Sequence, residues 1–227
     1  MLTLPTKYQV SREETPPPQP LFLRVPAFLF SVILHPLFIP VMGVAFLAYI
    51  QQGYFTGISD RDKSMIILRV AVNTIFFPFI TVLLLRGIGF IKSIYLKSQK
   101  ERIIPYVATN IFYFWMFLVF KNQPEVPAKV TSFILGVFLS SSAALVLNSF
   151  FKISMHALGM GALCGLLLII TYTGNPYNTF LPLLIVFLLT GIVGSSRLIL
   201  NSHNLSDIYG GVLVAILCQV IAYIFYG

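Results

Sequence analysis

The sequence predicts an all-α, polytopic membrane protein, and three observations lead to this fold class. The chain of 227 residues is 57% hydrophobic, whereas a soluble domain is about 45–50% apolar. The apolar residues form long runs, each close to the roughly 20 residues that a helix needs to cross the hydrocarbon core. These runs do not alternate with a period of two, as β-barrel strands would. Because lipid offers no partner for backbone groups, each run is expected to form a helix.

Seven runs qualify as candidate spans and predict a transmembrane helical bundle of about six or seven spans. Their approximate bounds are 26–50, 64–86, 104–120, 129–150, 154–172, 179–197 and 205–226. The first contains the segment HPLFIP, in which His35, Pro36 and Pro40 are expected to kink the helix. The third is short, and a re-entrant segment is the alternative to a full crossing.

The N-terminal residues 1–25 differ from the rest because they are polar and proline-rich. Such a composition is typical of an extramembrane arm with little regular structure. Residues 26–227 show no internal repeat and are predicted to form a single transmembrane helical domain. Cys164 and Cys218 lie inside apolar runs and are expected to be small buried residues rather than a disulfide or a metal site.

The formal net charge is +8, and most of the basic residues fall in short loops. In a soluble protein this charge would favour a nucleic-acid partner, but here it favours membrane lipids or an anionic substrate and no nucleic acid. Counting spans from the basic loop 86–105 places the stretches 152–156 and 196–207 at the same side of the membrane. We call this side the motif face.

The segment SRLILNSHNLSD, residues 196–207, places three ionisable groups between the last two spans. His203 and Asp207 are four residues apart at the start of a helix, so their side chains share one helical face. Asp207 can then accept a hydrogen bond from one ring nitrogen of His203 and leave the other free to attack or to bind. Arg197 offers a planar guanidinium suited to phosphate. The pattern indicates phosphoryl chemistry; the structural alternative is an Arg–Asp pair that caps two helices beside a buried histidine.

Two further stretches on the motif face favour phosphoryl chemistry. Ser154 and His156 open the fifth predicted span, where a hydroxyl and a helix N-terminus can bind phosphate oxygens and a second histidine can protonate a leaving oxygen. Lys97, Lys100 and Arg102 add positive charge. Stabilising charge on the phosphoryl oxygens is most of what an enzyme must do in phosphoryl transfer.

The spacing Ser-Arg, five residues, His, three residues, Asp is found at Ser196, Arg197, His203 and Asp207. At all four positions it resembles the third signature of the type 2 phosphatidic acid phosphatase (PAP2) superfamily, which also includes vanadium haloperoxidases. The resemblance covers roughly residues 92–226 and implies a PAP2-like core. It also implies the membrane-embedded branch of the superfamily.

The other two family signatures are matched in part. The second, Pro-Ser-Gly-His, is similar to the segment ISMH at 153–156, where the serine and the histidine match. The first, Lys, six residues, Arg-Pro, is similar to the segment KSQKERIIP, in which two isoleucines separate Arg102 from Pro105. The family places both signatures in one extramembrane loop, whereas two predicted spans separate them here.

The resemblance implies a role for each matching residue. His203 would attack phosphorus and form a phosphohistidine, Asp207 would orient His203, and His156 would protonate the leaving alkoxide and later activate water. The residues expected to bind the phosphoryl oxygens are Arg197, Arg102, Lys97, Lys100 and Ser154. The resemblance implies no metal and no cofactor.

These observations predict an integral-membrane, metal-independent hydrolase that acts on a lipid phosphate or pyrophosphate monoester. Phosphatidate, phosphatidylglycerophosphate, polyprenyl pyrophosphate and lipid A phosphate all fit as substrates. One alternative is a lipid phosphotransferase that uses the same residues and passes the phosphoryl group to an alcohol. Another is a non-catalytic membrane protein that binds lipid phosphates. The expected location is the cytoplasmic (inner) membrane of a bacterium, as a multi-pass protein.

Overall fold

All of the regular secondary structure in the described part of the molecule is helical. The computed structural model describes residues 19–91, 99–174 and 176–227, with the backbone alone for 99–102 and 176–178. Its α-helices are α1 (Leu21–Ile33), α2 (Ile39–Tyr49), α3 (Asp60–Ala71), α4 (Phe77–Gly87), α5 (Gln99–Lys121), α6 (Ala128–Leu147), α7 (Met155–Thr173), α8 (Pro176–Ile199) and α9 (Leu205–Tyr226). No strand interrupts them within these ranges, which confirms the predicted fold class.

Among the described residues, six helices are long and apolar enough to cross a membrane. The first, Asp60–Gly87, joins α3 to α4 through a π-helical turn at Val72–Phe76, and α5 to α9 supply the other five. These six correspond to the second to seventh predicted spans. The short third predicted span, 104–120, is part of α5, whose apolar stretch Ile103–Lys121 is long enough for a full crossing.

The first predicted span, 26–50, is wrong as a continuous helix. Two short helices, α1 and α2, replace it, and the turn 34–38 separates them. Pro36 has no N–H, and a proline disfavours helical geometry in the residue before it, so α1 ends at Ile33 instead of bending. Pro40 lies in the first turn of α2, where its missing N–H costs nothing. Neither piece has the roughly 20 residues of a span.

The last five residues of the predicted N-terminal arm, 1–25, belong to helix α1. Helix α1 begins at Leu21, directly after Pro20, so residues 21–25 are helical. Residues 1–18 lie outside the described ranges, and the arm remains a prediction for them.

Helix α7 lies at the centre of the bundle. Two thirds (67%) of its most apolar stretch is buried, against 22% for the span formed by α3 and α4. It packs against α8 and α9, while α9 also packs against α6, and α6 against α5. Helix α1 packs along α8, and α2 contacts both α3 and α7. The first turn of α7 is therefore surrounded by other helices, and this is where Ser154 and His156 lie.

Glycines let α9 approach α7 closely. A Cβ atom at Gly211 would lie 2.9 Å from the carbonyl oxygen of Ser154, and one at Gly161 would lie 2.6 Å from that of Val212. Three further glycines of α8 and α9, Gly191, Gly194 and Gly210, differ in their packing. Close packing is found at Gly194, whose Cβ would lie 3.2 Å from Ile208, but an added Cβ meets no atom within 4 Å at Gly191 or Gly210.

Gly161→Ala is expected to destabilise the protein by about 1–3 kcal/mol, the usual cost of overpacking. The added methyl would meet the backbone of Val212, which cannot rotate away. Gly210→Ala is the matched control, because its methyl group meets nothing and alanine favours a helix by about 0.5–1 kcal/mol over glycine. Thermal unfolding in detergent compares the two variants. A Gly161→Ala midpoint at or above that of Gly210→Ala would contradict the close approach of α7 and α9.

Candidate active site

The connection between α8 and α9 is a tight turn that positions His203. Asn201 has a positive φ of 49°, and its N–H donates to the carbonyl of Leu198, while the Ser202 N–H donates to the carbonyl of Arg197. This pair of bonds is a Schellman motif, and asparagine is one of the few residues that tolerate its left-handed position. The turn ends α8 at Ile199, two residues after Arg197, and brings His203 to the start of α9.

Asp207 receives two hydrogen bonds in the first turn of α9. His203 Nδ1 lies 3.1 Å from Asp207 Oδ2, and the backbone N–H of Asn204 donates to the same oxygen at 3.2 Å. An ionised carboxylate only accepts, so Nδ1 of His203 carries the hydrogen and Nε2 keeps its lone pair. The His203 and Asp207 side chains are only 8% and 11% exposed. The predicted i, i+4 interaction is therefore present, with Asp207 bound to His203.

The surroundings of His203 keep its imidazole neutral. Burial is the largest influence and lowers the pKa of His203 from its ordinary 6.5 to about 4. The hydrogen bond from His203 to Asp207 raises the pKa, while the positive charges of Lys152 and Arg197 lower it further. At pH 7 the ring is thus in the form that a nucleophile requires.

Arg197 and Ser196 occupy the last turn of α8. The Arg197 side chain is half-buried, and its Nη1 donates to the hydroxyl of Ser31 in α1 at 3.4 Å. Ser196 is buried, and its hydroxyl donates to the Ile192 carbonyl within the same helix at 2.7 Å. The positive charge of Arg197 also acts on His203.

The second stretch, 152–156, lies directly against the third. The Ser154 N–H donates to the carbonyl of Asp207 at 3.1 Å, and Lys152 Nζ donates to the carbonyl of Ser202 at 2.6 Å. Ser154 is fully buried, and its hydroxyl caps α7 by accepting from the Ala157 N–H at 3.4 Å. The two stretches therefore meet at one face of the bundle, as the span count predicts for the motif face.

His156 is held by the N-terminal helices. Its Nε2 lies 3.0 Å from the carbonyl oxygen of Ser31, and its ring meets the edge of the His35 ring with centroids 5.3 Å apart. A carbonyl only accepts, so Nε2 carries the hydrogen and Nδ1 keeps the lone pair. The charge of Arg197 acts on both His156 and His203. All three histidines of the chain therefore lie at this site.

The basic stretch is only partly described. Lys97 lies outside the described residues, and Lys100 and Arg102 belong to the first turn of α5, whose side chains are outside the description. Two candidate spans, in α5 and α6, separate Arg102 from Ser154 along the chain. The span count therefore places Lys100 and Arg102 at the motif face, together with Ser154. Their predicted contacts with phosphate stay predictions.

Three residues at the site received no role from the sequence. Ser31 and His35 come from a region that carries no family signature. Lys152 stands two residues before Ser154, outside the segment ISMH that resembles the second signature. For Ser31 and His35, the local signal in the sequence is the dipeptide His35-Pro36, which predicts that a helix ends within the apolar run.

The arrangement suits an anion. His203 is influenced by one carboxylate, Asp207, and by two cations, Arg197 and Lys152, and the first turns of α7 and α9 add positive helix ends. Within the described ranges, no three His, Cys, Asp or Glu side chains are grouped as metal ligands.

Asp207→Asn is expected to lower the pKa of His203 below about 4, because the variant removes the charge that favours the imidazolium. Lys152→Ala is expected to raise it, because a nearby positive charge is lost. NMR titration of the imidazole signals in detergent micelles measures both shifts, with His203→Ala for assignment. Shifts of the opposite sign would contradict the site geometry.

The comparisons with known proteins agree with this geometry. A family model described as the PAP2 superfamily matches residues 106–227, which is more than half of the chain. The match includes Ser154, His156 and the segment 196–207, and it begins after Arg102. No curated protein and no solved structure matches the chain. The chain belongs to the PAP2 superfamily.

Proposed function

We propose that the protein is an integral-membrane lipid phosphatase that hydrolyses a phosphate or pyrophosphate monoester through a phosphohistidine. The observation that supports it most is the contact between His203 Nδ1 and Asp207, which leaves the Nε2 lone pair of a neutral imidazole available. Membership of the PAP2 superfamily supports phosphatase chemistry in general.

In the first step, His203 Nε2 forms a bond to phosphorus while the bond from phosphorus to the lipid oxygen breaks. His156 takes up a proton at Nδ1 as the anionic substrate binds, and it gives this proton to the leaving alkoxide. In the second step, His156 takes a proton from water, the water oxygen attacks phosphorus and the N–P bond breaks. Phosphate leaves and His203 returns to its neutral form. Asp207 stabilises the positive charge that His203 carries between the two steps.

The basic groups of the motif face bind the phosphoryl oxygens in this proposal. Arg197 is the first of them, because its charge acts on both His156 and His203. Lys152 is added to the predicted set of Lys97, Lys100 and Arg102 because its charge reaches His203. Ser154 already accepts the Ala157 N–H, and its own hydroxyl hydrogen remains to be donated to an oxygen.

A lipid is the proposed substrate class because the site lies at the ends of membrane-spanning helices. Helices α7, α8 and α9 each begin or end at the site, and each is long and apolar enough to span. A phosphate on a lipid headgroup reaches this depth, while its hydrocarbon chains stay among the helices. The proposed location is the inner membrane of a bacterium, supported by the multi-pass helical architecture.

His203→Ala is expected to reduce phosphate release by roughly 10³-fold or more, because the nucleophile is lost. The assay offers lipid phosphates to the purified protein without added metal, and Ser206→Ala, at an exposed serine of α9, is the matched control. Equal release from His203→Ala and the control would contradict the proposed nucleophile. A phosphodiester in place of free phosphate would favour a phosphotransferase, and no turnover by the wild type would favour a lipid-phosphate binder.

The intermediate can be tested separately from the overall rate. Brief incubation with a ³²P-labelled lipid phosphate is expected to label the wild-type protein with an acid-labile, base-stable phosphoryl group. His203→Ala is expected to remain unlabelled, because the group is attached to Nε2 of this ring. Label on a serine, or label that survives in His203→Ala, would contradict the phosphohistidine.

A further inference from the structure

A groove between α1 and α8 opens on the outer surface of the bundle beside the candidate active site. Its volume is about 500 Å³, in the range of about 300–1,000 Å³ that is usual for small-molecule sites. The residues of α1 that line the groove lie three or four positions apart, so they share one face of the helix. This face is opposite α8. Among the lining residues are Leu23, Ala27, Phe30, Phe187, Gly191 and Ile192.

Gly191 keeps this groove open. Gly161 and Gly211 allow α7 and α9 to touch, but a Cβ at Gly191 would meet no atom within 4 Å. Glycine within a helix costs about 0.5–1 kcal/mol relative to alanine, and no close helix contact offsets that cost here. The lack of a side chain at Gly191 therefore leaves empty space between α1 and α8.

The groove leads to the phosphate site from both of its walls. On α8 its only polar lining residues are Ser195 and Ser196, which directly precede Arg197. On α1, Ala27 lies one turn before Ser31, on the same helical face. The Ser31 hydroxyl accepts from Arg197 and its carbonyl accepts from His156. The groove is therefore apolar along its length and polar next to Arg197.

We propose that this groove holds a hydrocarbon chain of the substrate while its phosphate is bound at Arg197. The inference rests on the proposed lipid phosphatase function and specifies how the lipid is bound. A chain with one polar end matches the groove, which is apolar except at its Arg197 end. Helix α1 lies outside the matched range 106–227, so this wall of the groove belongs to the part of the chain outside the family match.

Gly191→Leu tests the groove, because Gly191 lines it and has room for a Cβ, so the added side chain takes up space in the groove. Gly210→Leu is the matched control, since it also adds a side chain to a membrane helix at a glycine with no atom within 4 Å. Two phosphatidates are compared in the same detergent, one with sixteen-carbon and one with four-carbon acyl chains. Gly191→Leu is expected to lower kcat/KM for the long-chain lipid by about tenfold, because a displaced chain misplaces the phosphate, and to leave the short-chain lipid unaffected.

Three results would overturn the groove proposal. They are an unchanged kcat/KM for both lipids, an equal loss for both lipids, and the same chain-length effect in Gly210→Leu. Failure of the wild type to release phosphate from either lipid would instead overturn the proposed function. The chain-binding claim would then be decided by a measurement that needs no turnover.

That measurement uses a phosphatidate with a photoactivatable diazirine in one acyl chain. After irradiation, mass spectrometry of the wild-type protein is expected to find the cross-link on α1 and α8 at the groove, for instance at Ala27 or Ile192. Excess long-chain phosphatidate is expected to compete with this label, whereas the same lipid lacking the phosphate is not. Label spread over lipid-facing residues of all helices, or equal competition by both lipids, would identify ordinary bilayer contact and overturn the proposal.

Discussion

Asp207 holds the candidate active site together, because three hydrogen bonds meet at this residue. Its carboxylate accepts from His203 and from the N–H of Asn204, and its backbone carbonyl accepts from Ser154 at the start of α7. The residue is buried in the first turn of α9, where the helix dipole favours a negative charge. Hydrogen bonds to a charged group contribute about 1.5–3 kcal/mol each. The side chain and the backbone carbonyl of Asp207 therefore determine the orientation of the His203 ring, the start of α9 and the packing of α7 against α9.

The charge balance around Asp207 follows from this constraint. His203 experiences one negative charge, from Asp207, and two positive charges, from Lys152 and Arg197, so the described part of the site carries an excess of positive charge. Desolvating cations without counter-charge is costly, and the neutral imidazole of His203 adds no further charge. A bound phosphate monoester would supply the missing negative charge. The same burial that keeps His203 neutral as a nucleophile thus leaves the site incomplete until an anion is present.

The sequence predicts the local parts of this structure well. The spans follow from apolar length, and the contact between His203 and Asp207 follows from an i, i+4 spacing at the start of a helix. Features that depend on two distant segments could not be predicted in this way. Gly191 and Gly211 are equivalent as letters in apolar helices, yet one faces an open groove and the other lies against the backbone of Ser154. The distance between two helices depends on the residues of both, whereas the sequence around one glycine describes only one of the two helices.

The segment at Pro36 shows how one local feature decides both the fold and the site. In an uninterrupted helix, the carbonyl of Ser31 would accept from the N–H of His35. Because α1 ends at Ile33, that carbonyl is one of the last four of the helix and needs another partner. His156 supplies it with Nε2–H, which fixes the tautomer and direction of the second histidine. The proline that prevents 26–50 from spanning the membrane thereby leaves α1 beside α8, where it orients His156, contacts Arg197 and forms one wall of the groove.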